Sequence, residues 1–156
     1  MARITTNTSG TQPVIRVSMT SDMAGNITVP SIQDVTITNS TGVYSYTTFA
    51  DVDTRKLSTP ADNEVSTNVV LDDTTWFGTT GPAGTTAAAK GLLNLSSAKD
   101  LIYFEIYYAG AASGARFTTG QGFISGLAAT TTPDAPVWVS PMTIAVDATF
   151  AQDVVA

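Results

Sequence analysis

Asp51 and Asp53, separated by one residue, open a polar stretch in the manner of a calcium loop. An EF-hand places oxygen ligands at alternate positions and a glycine at the sixth, where the chain turns sharply. Here Arg55 stands where the third ligand belongs and Lys56 where the glycine belongs. The stretch 50–64, with Asp51, Asp53, Arg55, Lys56, Asp62 and Glu64 around Pro60, therefore reads as a mixed-charge solvated or interface surface. Gly120 and Gly122 offer two glycines of a phosphate loop but lack the third and the following helix. Inside a strand such glycines mark a bulge or a close backbone approach. Glu105 stands alone among Leu101, Tyr103 and Tyr107 on one face of an apolar strand. It is open to two readings, a solvent-facing position or a carboxylate facing a water-filled channel. Trp76, Phe77, Tyr103 and Tyr107 could stack on sugar rings, although such aromatics serve equally as core or interface.

The chain contains no histidine and no cysteine. A Ser-His-Asp triad, a cysteine nucleophile and a thiolate metal site cannot be built from it. Serine–lysine chemistry and a hydrolytic carboxylate pair stay formally open. With 13 acids among 156 residues, chance carboxylate pairs are common, so the acids read as solvated loop residues. The expectation is a protein that is not an enzyme, with no metal and no cofactor.

These residues must be positioned by strands. Period-2 alternation runs through Ile15, Val17 and Met19, through Val35 and Ile37, through Val65, Thr67, Val69 and Leu71, and through Met142, Ile144, Val146, Ala148 and Phe150. Short runs at 27–29, 43–49 and 115–127 add further strands, and Val137 to Val139 precedes the last one. Ile102, Phe104, Ile106 and Tyr108 form a fully apolar face opposite the face of Glu105. One helix is legible in 85–100. Thr85 and Thr86 are suitable N-caps, and Ala88, Leu92 and Leu95 fall on one face. Gly91 weakens that helix by about 1 kcal/mol relative to alanine, so it needs packing against the strand that follows. Residues 78–84 read as a flexible linker. The sum, about eight strands and one flanking helix, predicts a mainly β domain, a β-sandwich or small barrel.

Length suits one domain: an N-terminal arm at 1–12, a β domain at 13–150 with the long loop 50–64, and a C-terminal arm at 151–156. Net charge is −6 and charged residues are 13% of the chain, about half the usual level. An acidic chain makes a poor grip on nucleic acid, which needs lysine and arginine to displace phosphate counterions. No apolar stretch has the length of a signal peptide core or a membrane span, so a cytoplasmic site of synthesis and no membrane partner are expected.

The order of elements resembles a known family. A strand, a long polar loop, a strand, a flexible linker, a short helix carrying Lys90-Gly91-Leu92-Leu93, a strand, a small-residue turn, a glycine-bearing strand (Phe117 to Leu127) and a long final strand follow one another over 13–150. This layout resembles the bacteriophage major tail proteins, or tail tube proteins. The resemblance implies a β-sandwich or small barrel with a flanking helix. It implies a structural virion protein whose six copies form a ring, with rings stacked into a hollow tube that conducts DNA at ejection. Partners would be further copies of the chain and other tail proteins: terminator, baseplate or tip, and tape measure protein. DNA would pass without specific binding. The location implied is the virion tail, assembled in the host cytoplasm. The loop with Asp51, Asp53, Arg55, Lys56, Asp62 and Glu64 would stack ring on ring. Tyr103, Glu105 and Tyr107 would face the lumen or a neighbouring subunit. The alternatives are another virion β-protein (capsid decoration or fibre component) and a carbohydrate-binding β-sandwich.

Overall fold

The structure, a computed structural model, describes residues 12–29, 31–49, 53–60, 62–134 and 136–156. Nine strands are present among them: β1 (Val14–Ser18), β2 (Ile27–Thr28), β3 (Ile32–Thr38), β4 (Gly42–Tyr46), β5 (Arg55–Thr59), β6 (Asn63–Val70), β7 (Ile102–Tyr107), β8 (Arg116–Leu127) and β9 (Val139–Val154). Three short helices, α1 (Asp73–Phe77), α2 (Ala87–Lys90) and α3 (Leu92–Ala98), lie between β6 and β7. Seven strands form one antiparallel sheet in the order β2-β1-β7-β8-β9-β6-β3, and β4 pairs only with β5. The fold is mainly β, as the alternation predicts.

One face of the sheet is the core. Ile15 and Val17 stand opposite Ile106 and Phe104, and Val65 opposite Ile144, all buried. The inward faces of the helices, Trp76, Ala87, Leu92 and Leu95, join the same cluster. Among the described residues the sheet is not a closed barrel, since its end strands β2 and β3 do not pair with each other. It curls instead, as in a sandwich. A cavity of about 420 Å³ is lined both by Ile32, Val35 and Ile37 of β3 and by Pro13, Ile106 and Tyr108 from the β1–β7 side.

The expected single helix is two. Thr86 caps α2 by accepting from Ala89 N–H, but Gly91, at φ 80°, breaks the run and starts α3. The break is forced by packing: a Cβ on Gly91 would lie 2.3 Å from the backbone nitrogen of Gly78. Trp76 and Phe77, read as an aromatic pair before a linker, belong to α1, whose N-cap Asp72 accepts from the N–H groups of Thr74 and Thr75. Asn94 ties α3 to α1 by donating to the Phe77 carbonyl at 3.0 Å. The two expected terminal strand pieces are one strand of 16 residues. Residues 151–154, read from sequence as part of an arm, continue β9 and pair with β8 through Ala151↔Thr119 and Val154↔Arg116. Only Gln12 of the expected N-terminal arm lies within the described residues.

A bulge joins the two halves of β9. Thr119 pairs with Ala151 and Gln121 with Asp147, so residues 148–150 pass the single Gly120 of β8. Bulges of this kind re-aim a side chain. Here Phe150 turns inward and meets Phe104 edge-on, with ring centroids 6.2 Å apart.

Candidate functional site

The outward face of the central strands holds the residues singled out around Glu105. Register places Arg16, Glu105 and Thr119 in one row across β1, β7 and β8. Val14, Tyr107 and Phe117 form the next row, and Ser18, Tyr103 and Gln121 the one on the other side. Tyr103, Glu105 and Tyr107 therefore share a face, as alternation requires. They are not equally available. Tyr107 is buried: Phe117 stacks on its ring at 5.0 Å and the Arg16 guanidinium lies 5.0 Å from its centroid. Its hydroxyl donates to Glu105 Oε2 at 2.7 Å. Burial first, then the hydrogen bond to Glu105 and its charge, raise the Tyr107 pKa above the ordinary tyrosine value, with Arg16 pulling the other way. Glu105 and Tyr103 are half-buried. Farther across the face, Gln121 donates to Asp147 Oδ2 at 3.3 Å. The result is a polar sheet surface with few charges.

The mixed-charge stretch is not a loop throughout. Arg55 and Lys56 lie in β5, Glu64 in β6, and Asp53 and Asp62 flank β5; Asp51 lies outside the described residues. The pairs Gly42↔Thr59 to Tyr46↔Arg55 continue outward from the β3–β6 pair Thr38↔Glu64. At the base of this hairpin Ser40 donates its N–H to Asn63 Oδ1 and its hydroxyl to the Asp62 carbonyl. No residue of β4 or β5 is buried or belongs to the core cluster. Val43, Tyr44 and Leu57 are 57%, 59% and 55% exposed. A two-stranded hairpin without a packed face is marginal in water. Sequence missed β5 because Arg-Lys-Leu-Ser-Thr contains one apolar residue, too few to show a period.

A second apolar surface is assembled from segments distant in sequence. Leu71, Trp76, Phe77, Ala129 and Trp138, with Asp72 and Asp73 beside them, line a groove of about 380 Å³. Phe77 and Trp138 are about half exposed. The sequence marked Trp76-Phe77, but Trp138 joins them only through the β6–β9 pairing, with Leu71 N–H donating to the Trp138 carbonyl at 2.9 Å.

Ser96 and Lys99 have the S-x-x-K spacing that serine–lysine chemistry uses. Ser96 Oγ donates to the Ile124 carbonyl at 3.2 Å, and Lys99 is the left-handed C-cap of α3. Gly120 and Gly122 sit within β8, paired to Phe104 and Ile102, and open no helix. Among the described residues no three of His, Cys, Asp and Glu gather at metal-binding distance, and no helix is long and apolar enough to cross a membrane.

No protein-family model matches the chain, and no curated protein matches it by sequence. Solved structures do match by fold. A chain in the virion of a native gene transfer agent particle superposes with a TM-score of 0.59 at 8% identity, over 89% of this chain and 95% of that one. A chain in the tail of an empty gene transfer agent particle, refined with C6 symmetry, superposes with a TM-score of 0.59 at 8% identity, over 88% and 93%. The resemblance drawn from the order of elements is borne out as a fold: this chain shares its fold with chains of the gene transfer agent virion and tail.

Proposed function

We infer that the chain is a structural virion protein, the major subunit of a tail tube, in which six copies close into a ring and rings stack into a hollow conduit for DNA. The observation that carries this reading is the near full-length fold likeness to a chain of a C6-symmetric tail. Three features of the molecule support it. The sheet has two open edges, β2 and β3, and joining such edges between neighbours removes an aggregation liability. The hairpin β4–β5 displays apolar residues that the monomer leaves uncovered. The outward face with Tyr103, Glu105, Gln121 and Asp147 carries a cation, Arg16, held against the Tyr107 ring, and not the cluster of lysine and arginine that would hold a phosphate backbone in passage. In this reading that face lines the bore, the edges join subunits within a ring, and the hairpin meets the next ring. Terminator, baseplate or tip, and tape measure proteins are the further partners, in a virion tail assembled in the host cytoplasm.

Electron microscopy of the purified protein tests this. Hexameric rings or tubes are expected. A strictly monomeric protein at high concentration overturns the reading, and trimers would point to a capsid or fibre component instead. Infective particles of normal titre carrying Glu105→Lys would refute the bore assignment.

A further inference from the structure

The hairpin and the Trp138 groove lie at opposite ends of the same strand. β6 begins at Asn63, where the hairpin base is held by Ser40, and ends at Val70, next to Leu71 and the groove. At about 3.3 Å per residue these ends are roughly 23 Å apart. The hairpin extends the β3–β6 ladder away from the groove, so one copy cannot fill its own groove. The surfaces are matched in chemistry. The paired strands β4 and β5 carry two charged residues, both cationic: register puts Arg55 on one face with exposed Tyr44 and Leu57, and Lys56 on the other with exposed Val43. The groove carries Asp72 and Asp73 beside Leu71, Trp76, Phe77 and Trp138. Each surface leaves large apolar side chains in water, which favours mutual burial at about 25 cal/mol per Å² removed.

The geometry points to a head-to-tail contact: the paired strands β4 and β5 of one copy dock in the Trp76–Phe77–Trp138 groove of a second copy, the Tyr44–Leu57 face against its aromatic rings and Lys56, from the other face, toward Asp72 and Asp73. This names the receiving surface for the hairpin and rests on the tube reading for its setting. The contact joins two different patches, so repeating it propagates copies in one direction. Sixfold repetition in a ring multiplies a weak single contact through effective concentration.

Two measurements on the full chain test it. Lys56→Glu should raise the concentration needed for tube formation at least about tenfold, and adding Asp73→Lys should return it to within about threefold of wild type. The absence of native cysteine allows Leu57→Cys with Phe77→Cys, both exposed positions; oxidation should give a covalent ladder of dimers and higher multimers. If the wild type forms tubes while Lys56→Glu assembles normally and the cysteine pair yields only monomer, the docking is overturned and the tube reading stands. If the wild type forms neither rings nor tubes, the tube reading falls; a ladder then upholds the docking alone, and no ladder removes both.

Discussion

Gly120 of β8 stands opposite Phe104 of β7, and the phenyl ring fills the space a side chain at 120 would need: a Cβ there would lie 2.6 Å from Phe104 Cζ. The ring cannot retreat freely, since Phe150 packs edge-on against it.

Gly120→Ala should therefore destabilise the monomer by about 1–3 kcal/mol, the usual cost of overpacking a filled core. Urea denaturation measures this. Phe104→Leu in the same chain should recover part of the loss, giving a non-additive double-mutant cycle.

Tyr107 should control alkaline stability. Its native pKa is raised, by burial first and then by Glu105. The unfolded chain loses this proton first, near pH 10. Hence the stabilisation held by the neutral phenol is complete below that pH and is lost as pH rises through the raised native value. Tyr107→Phe should cost about 1 kcal/mol at pH 7 by removing the hydrogen bond to Glu105, yet lose less stability than wild type on going to high pH. Glu105→Gln should lower the Tyr107 pKa, read from tyrosinate absorbance.

Lys90 and Asp100 form an ion pair between the end of α2 and the entry to β7, and both side chains are largely shielded from water. Asp100→Asn should cost about 1–3 kcal/mol, in the range of a hydrogen bond to a charged group. Thermal melts in low and high salt check it; a partly shielded pair should lose little in salt.

Tyr44→Ser and Leu57→Ser should each leave the monomer within about 0.5 kcal/mol of wild type, because neither side chain touches the core. Tube formation should nevertheless fail. Equal melting curves with a loss of tubes in micrographs separate an assembly residue from a folding residue.

Most of the sheet was legible because Ile15–Val17, Ile102–Ile106 and Met142–Val146 each alternate over a buried face, and one-sided burial imposes period 2. The helix divided where Gly78 and Gly91 touch, a contact between distant segments that local propensity does not contain. β5 escaped notice because exposed strands need no apolar period. The face of Tyr103, Glu105 and Tyr107 followed from spacing alone, but the burial of Tyr107 depends on Arg16 and Phe117, brought alongside by strand pairing. The groove was invisible for the same reason, since Trp76 and Trp138 lie far apart in sequence.

Copies joined hairpin to groove, surfaces that sit at opposite ends of β6, would form a chain with two unlike termini. One end offers bare hairpins and the other bare grooves. A molecule that starts such growth and one that stops it would then have to be shaped differently.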